Sequence, residues 1–542
     1  MAIRLKRKSI ILKTIQVGFS VLASRLLGMA REVIMVRYLG VNRVADAFVM
    51  AWRMPNSLRK IFAEGSLNAA FVPTFISEYK KDGTEAANSL MAATQLVIQG
   101  FLLLLCLFIF IKTELVLRLV APGWFINPAV TAEHIALVIY LTRIVIFLIL
   151  AFSTSALLGG ALNSVSRFSV PASSQIVLNI CFIIYILIGI KFNLSVVYLA
   201  YAMILNGIIL VTMHIIAYKS AGFSFSRPTP HAWHAFKTVL FKFIPCSISG
   251  GALIINTFVD QSFATYIPAA GSVVLVYYAN SFMTIPNSVF ANAFSTVLLP
   301  QCAQIACYAR KRLSFYLFEA TKFIAWLTIP TILFMCFFAK ELLETTLLSE
   351  NFTMESVNIA ASLLIIFTAG LFFISLNKII LQMFYACHKT MLPALICVGG
   401  ATCNFALNLL FLKPFGIYGI PLATTIASGF QLLLYIIGLK KHLNFSVYTK
   451  QTSTFLGKYL LQLCCFLIPA YLFFKSAQML SAYYFSERFV HIVFHTLVLW
   501  VWVMPLFLLV MYAIYRTRKS FGIRLYFIGA QKRSSKNCIS KC

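Results

Sequence analysis

Apolar runs of about 20 residues recur from end to end of this 542-residue chain, and a helix of that length crosses a bilayer. Hydrocarbon offers the backbone no hydrogen-bond partner, so such runs must close their bonds internally, as helices. Charged residues are 11% of the chain, where a soluble protein carries roughly a quarter. The expected fold is therefore an all-α polytopic membrane protein with about fourteen transmembrane helices. The spans are expected near 10–38, 44–77, 86–112, 131–162, 167–190, 194–218, 236–266, 271–306, 314–340, 355–386, 391–412, 415–439, 454–474 and 489–515. Two of them, 44–77 and 271–306, are long enough to be bent or broken. No cleavable signal peptide is expected, because the basic start leads into a long segment without a small-residue cleavage site.

The net charge of +30 is distributed as a topology signal and not as a nucleic-acid surface. Loops after even-numbered spans hold Lys80, Lys81, Arg167, Lys219, Arg227, Arg310, Lys311, Arg312, Lys389, Lys440, Lys441 and Lys450, and both termini are basic. Loops after odd spans are mixed, with Glu114, Glu133, Glu341, Glu344, Glu350, Glu355 and Glu487. By the positive-inside rule both termini lie in the cytoplasm. The thirteen cysteines show no Cys-x-x-Cys pair and read as buried thiols. His231 and His234 read as a solvated face of a cytoplasmic loop. Nothing resembles a nucleophile–base pair, a phosphate-binding glycine loop or a catalytic carboxylate dyad, so an enzyme is not expected.

A faint internal echo organises the chain. Arg167 stands four residues before Pro171, and Asn179 follows; Lys389 stands four before Pro393, and Asn404 and Asn408 follow. The echo suggests two parallel six-span repeats and two further spans. Pro228 and Pro230 break helix between them. The expected division is a first lobe over 1–220, a second over 221–450, two C-terminal helices over 451–516, and a basic cytoplasmic tail over 517–542 that touches anionic lipid headgroups.

The stretch from Ser24 to Pro73 places Arg25, Arg31, Arg53, Arg59 and Lys60 within or against apolar spans. A cation in hydrocarbon costs several kcal/mol, so these groups must line a wet cavity or meet an anion. Arg25 and Arg31 are six apart, about 240° round a straight helix, and Gly28 between them permits a bend. Asp46, Arg53 and Lys60 repeat every seven residues and project roughly one way, although Pro55 interrupts the run. Asp46 and Glu64 supply two carboxylates against five cations. A phosphate or diphosphate would meet the excess, gripped by guanidinium forks. The alternative is cations that snorkel to the interface or staple helices together.

Ser24 to Glu32 (Ser-Arg-Leu-Leu-Gly-Met-Ala-Arg-Glu), Ala45 to Phe48, Pro55 to Pro73, Ala121 to Trp124, Tyr277 to Asn280 and Phe384 to Ala386 closely resemble the MurJ (MviN) family. These are lipid II flippases within the multidrug/oligosaccharidyl-lipid/polysaccharide (MOP) exporter group. The resemblance spans essentially the whole chain. It implies two six-helix lobes and two C-terminal helices that form a groove for the lipid tail. The implied role is movement of lipid II, the undecaprenyl-pyrophosphate-linked peptidoglycan precursor, from the cytoplasmic to the periplasmic leaflet of the bacterial inner membrane. Arg25, Arg31 and Arg59 would hold the pyrophosphate, with Arg53, Lys60 and Lys378 as further cations of the substrate site. Asp46 and Glu64 would tune them or form gates. Implied partners are lipid II, membrane lipids and cell-wall synthesis proteins. The chain departs from the family pattern at Ser281, where an arginine is usual, and at Met391, where a lysine is usual and Lys389 stands two residues away.

Asp260 is the one carboxylate in the middle of the seventh expected span, while Asn404 and Asn408 share a helix face. With the Ile420 carbonyl and Thr424 they resemble, at matching spacing, a sodium site of some family members, which makes Na⁺ the expected coupling ion. The alternative is hydrogen bonding between helices by buried amides. Rival functions are export of another polyprenyl-pyrophosphate-linked glycan, and a non-transporting membrane scaffold of the same fold.

Overall fold

A computed structural model describes residues 24, 26–62, 66–165, 167–288, 291, 294–295, 298, 302, 305, 312–387, 389, 391–446, 448–484 and 503–525. Arg25 and Glu64 lie outside them. Among these residues no strand forms, and one isolated bridge pairs Ser349 with Phe352.

The chain runs as helices α1 (26–39), α2 (Arg43–Phe62), α3 (Ser66–Ile111), α4 (Thr113–Val120), α5 (Pro122–Ile126), α6 (Ala132–Val145), α7 (Leu148–Ser164), α8 (Ser169–Lys191), α9 (Val196–Ser220), α10 (Pro230–Ala264) and α11 (Ser272–Asn287). It continues through α12 (Leu313–Phe337), α13 (Ala339–Leu347), α14 (Met354–Ala369), α15 (Leu371–Ala386), α16 (Met391–Phe415), α17 (Gly419–Leu443), α18 (Thr449–Tyr484) and α19 (Met504–Thr517). Helix covers at least part of every expected span. Among the described residues, seven helical stretches are long and apolar enough to cross a membrane, or eight if the bent pair α14–α15 counts as one span. One of the seven, Met391–Leu443, holds both α16 and α17. Large apolar side chains stay exposed along these helices, including Leu104, Leu187, Leu410 and Phe473. On an integral membrane protein that surface faces acyl chains.

The breaks follow local chemistry. The expected span 44–77 is divided between α2 and α3, and α3 itself breaks at Gly83, whose φ of 78° suits glycine. Asn444 ends α17 in the left-handed region. Pro230 opens α10 at its first turn, and the Thr229 hydroxyl accepts from the Ala232 N–H at 3.3 Å.

By packing, the chain falls into two units, Met1–Tyr277 with Ser349–Phe352, and Tyr278–Leu348 with Thr353–Cys542. In the first, α3 packs on α10 and α7, α7 on α9, and α2 on α6. Ser349–Phe352 joins this unit through Asn351, whose carbonyl accepts from the Val41 N–H at 3.1 Å. That carbonyl would lie 2.5 Å from a Cβ at position 40, which is why the turn there is glycine, at φ 71°. The loop before α10 is bound to α3, as Asn88 donates to Ser224 Oγ at 3.0 Å and Ser89 bonds Thr229 at 3.0 Å, and His231 in the first turn of α10 bonds Glu78 at 2.9 Å. His231 is thus paired with α3 and not simply solvated.

In the second unit α16 packs along α17, and α12 and α17 both pack on α15. The C-terminal pair α18 and α19 packs together, and α18 lies against α12. Tyr459 donates to the Trp326 carbonyl at 2.6 Å, and Gln462 donates to the Ile514 carbonyl at 2.8 Å. Those bonds satisfy polar groups inside a cluster that includes Trp326, Leu463, Val510 and Ile514.

Candidate functional site

A cavity of about 230 Å³ opens in the first unit between α1, α2, α7, α8 and α9. Arg31 reaches it from α1 and Arg59 from α2, with Glu32, Trp52, Asn56, Gln175, Asn179, Asn206 and Tyr277 also in its wall. A second cavity of about 250 Å³ shares Arg59, Phe152 and Gln175 and continues past Asn163, Ser174 and His214. Arg59 therefore stands where the two meet.

Arg31 is held by an amide, a carboxylate and a ring, and Arg59 lies against a ring. Arg31 donates to Asn179 Oδ1 at 3.2 Å and pairs with Glu32, and its guanidinium lies 5.8 Å from the Phe182 ring centre. Asn179 is itself oriented by donating to the Ser24 carbonyl at 3.0 Å. The Arg59 guanidinium lies 5.0 Å over the Phe152 ring. An aromatic face attracts a cation without neutralising it. Glu32 also accepts from the Tyr277 hydroxyl at 3.4 Å. The wall thus presents two guanidiniums against one carboxylate in a space bounded by amides, an arrangement suited to a phosphate or diphosphate.

The structure redistributes the residues expected from the sequence. On α2 the cavity face is Trp52, Asn56 and Arg59, spaced four and three as one helix face requires. Asp46, Arg53 and Lys60 are one position on from that spacing, a turn of about 100° away. None of the three lines the cavity. Asp46 is buried, and its carboxylate accepts from the Gly271 N–H at 2.8 Å and the Val274 N–H at 2.9 Å. It caps the first turn of α11, whose leading N–H groups lack partners within the helix. Arg53 is buried with its guanidinium 5.7 Å from the Tyr277 ring and within the field of Asp260. Lys60 is exposed in the last turn of α2. Asp46 thus caps α11 through partners some 225 residues away, a contact that leaves its expected gating or tuning role standing. Arg25 and Glu64 are outside the described residues, so their expected roles are untouched by this geometry.

Lys378 is half-buried on α15 in the second unit. Of the sodium-type set, Asp260 belongs to the first unit and the other four residues to the second. There Asn408 Nδ2 donates to Asn404 Oδ1 at 2.7 Å and to the Asn404 carbonyl at 3.0 Å. The Thr424 hydroxyl donates to the Ile420 carbonyl at 3.3 Å. Carbonyl, amide and hydroxyl oxygens are the donor types that suit a hard cation. The contacts named here lie within α16 and within α17.

Sequence reasoning did not pick out Glu32, Trp52, Asn56, Gln175 or Asn206 as cavity residues. The signal for Glu32 was available, since it follows Arg31 directly. Trp52 and Asn56 were also within reach, by stepping along α2 from Arg59 at helical spacing instead of following the charges.

Residues 35–495 match the family model described as Lipid II flippase MurJ. A probable lipid II flippase MurJ of Rhizobium tropici is 29% identical over 431 residues, 77% of this chain and 79% of that protein. The lipid II flippase MurJ of Burkholderia cenocepacia is 28% identical over 443 residues, 78% of this chain and 82% of that protein. Among solved structures, lipid II flippase MurJ in an inward closed conformation superposes with a TM-score of 0.73 at 23% identity, covering 93% of this chain and 99% of that one. An inward-facing multidrug resistance transporter of the MATE family in the MOP superfamily gives 0.66 at 14% identity, over 78% of this chain and 94% of that one. The helical order, the paired arginines on one cavity and a family match across most of the length agree: this chain belongs to the lipid II flippase MurJ family.

Proposed function

We propose that this protein is a lipid II flippase of the bacterial inner membrane, with both termini in the cytoplasm. It moves the undecaprenyl-pyrophosphate-linked precursor of peptidoglycan from the cytoplasmic to the periplasmic leaflet by alternating access. The observation that carries this reading is the convergence of Arg31 and Arg59 on one cavity of the first unit. The pyrophosphate enters between them and is held by their guanidinium forks, with Arg25 as the third cation implied by family resemblance. Asn179 and Glu32 hold Arg31 in position, and Phe152 holds Arg59. Binding of a dianion offsets the excess positive charge, which lowers the cost of closing the cavity away from water. The sugar–peptide head extends beyond the 230 Å³ pocket, and the polyprenyl tail stays in lipid beside α18 and α19.

The two six-helix lobes over 1–220 and 221–450 are the elements proposed to rock about the substrate. Lys378 is proposed as a cation of the second lobe, offsetting the departures at Ser281 and Met391. Sodium is the proposed coupling ion, with Asp260, Asn404, Asn408, Ile420 and Thr424 as the residues that the family resemblance implies for it. Replacement of sodium by choline should then slow transport.

The test is expression in a bacterial strain whose own lipid II flippase can be switched off. The wild-type chain is expected to restore growth and outer-leaflet lipid II, and Arg31→Ala or Arg59→Ala to restore neither at matched protein level. Full rescue by both variants would remove the pyrophosphate role from these arginines.

A further inference from the structure

A second basic cavity lies in the second unit. It measures about 440 Å³ and is enclosed by the start of α12, the first turns of α18 and the turn that follows α19. Lys322, Lys450, Lys458 and Arg524 line it. Lys322 is buried, donates to the Arg524 carbonyl at 2.9 Å and pairs with Glu319 at 2.6 Å. Its charge is therefore largely offset. For Lys450, Lys458 and Arg524, all exposed, no ion pair is seen among the described residues, so the pocket keeps an excess of positive charge.

The wall formed after α19 is a built feature of the fold. The Gly522 N–H bonds the Lys519 carbonyl at 3.0 Å, and the Ile523 N–H bonds the Arg518 carbonyl at 2.8 Å. Gly522 takes φ 69°, which turns the chain back. Ile523 and Leu525 are then buried in the cluster around Trp326, Tyr459 and Ile514, while Arg524 between them faces outward. Alternation of buried and exposed residues thus sets one cation on the rim and anchors it from both sides.

The pocket lies at the depth where a bilayer changes from polar to apolar. Leu460 and Leu461, two and three residues beyond Lys458, are already exposed, as are Ile468 further along α18 and Leu508 and Leu509 on α19. A helix rises about 1.5 Å per residue, so apolar surface begins within roughly one turn of the cations. A soluble anion has no use for that apolar continuation, whereas a lipid uses both parts.

We propose that this pocket holds the phosphate-bearing headgroup of an anionic phospholipid, with its acyl chains along the exposed face of α18 and α19. Basic pockets between transmembrane helices recognise such headgroups by this chemistry. The surrounding bilayer presents phospholipid headgroups at the depth of the pocket, which favours them by mass action over a scarcer polyprenyl phosphate. Such a site requires only that the chain span a membrane and not that it transport, so its failure would leave the proposed flippase activity intact.

The test uses the full-length protein in neutral detergent and native mass spectrometry. Phosphatidylglycerol, phosphatidylcholine of the same acyl chains, a polyprenyl phosphate and inorganic phosphate are offered separately. Wild type is expected to retain phosphatidylglycerol in preference to phosphatidylcholine and inorganic phosphate, and polyprenyl phosphate, which the Arg31–Arg59 cavity can hold, is scored only by its response to the variants. Lys450→Gln with Lys458→Gln, both exposed and safe for folding, should weaken that binding roughly tenfold or more. Lys440→Gln with Lys441→Gln, exposed lysines at the end of α17, should leave it unchanged. Equal loss in both double variants would mean diffuse surface charge and overturn the site. Loss of polyprenyl phosphate but not of phosphatidylglycerol in the Lys450–Lys458 double variant, or retention of inorganic phosphate by the wild type as firmly as the lipid, would overturn the assigned ligand.

Discussion

Two sets of polar residues differ: in the first unit a set of charges borders a cavity, and in the second a set of neutral amides is packed among helices, apart from the basic pocket at the start of α18. In the first, Arg31 and Arg59 border the cavity, with Glu32 as the carboxylate in its wall among the described residues and two aromatic faces beside them. In the second, Asn404, Asn408, Asn377 and Gln431 are buried and bond to one another or to backbone. An ion removed from water must find a partner or shift its charge, whereas an amide is satisfied by a neighbouring helix. The difference separates polar residues that serve a ligand from those that hold helices together.

The largest departure from this contrast should follow loss of a cavity arginine. Arg59→Ala or Arg31→Ala removes a charge-assisted grip on phosphate worth about 1.5–3 kcal/mol per bond, so transport should fall by roughly 100-fold. Initial rates of lipid II movement at matched protein level would measure it. Arg59→Lys keeps a point charge but loses the fork, and an intermediate rate is expected.

Asp46→Ala should act on stability. It leaves the N–H groups of Gly271 and Val274 buried without their acceptor, at a cost of about 2–3 kcal/mol. The unfolding midpoint in detergent should drop, while the transport rate per folded molecule changes little. A rate that falls as far as in Arg59→Ala, with no change in midpoint, would return Asp46 to the substrate site.

Glu32→Gln should sharpen the comparison from the other side. It removes the carboxylate that competes with a ligand for Arg31, and several-fold tighter binding of inorganic pyrophosphate is expected by calorimetry. The smallest change is expected at Asn377→Leu. It exchanges amide bonds from α15 to Ser428 and Gln431 of α17 for apolar contact and should alter stability by about 1 kcal/mol.

Much of this was legible in the sequence, because span length and cation placement are one-dimensional signals. The fourteen expected spans find helix, and Arg31 and Arg59 fall on one cavity. The bend between α14 and α15 was not legible, because the apolar run continues unbroken across Gly370. On α2 the charged Asp46, Arg53 and Lys60 stand out by type, whereas Trp52 and Asn56, which line the cavity with Arg59, do not. Nor does any local pattern reveal that Asp46 caps a helix beginning at Ser272. Such a contact is set by tertiary packing, which spacing along one helix does not encode.

A pyrophosphate held between Arg31 and Arg59 is tested most directly by the initial rate at which lipid II crosses the bilayer of proteoliposomes. The proteins compared are the wild type, Arg31→Ala, Arg59→Ala and Asn377→Leu. The expected result is rapid crossing with the wild type and Asn377→Leu and almost none with either arginine variant. Crossing at the wild-type rate by both arginine variants would contradict that role for the cavity.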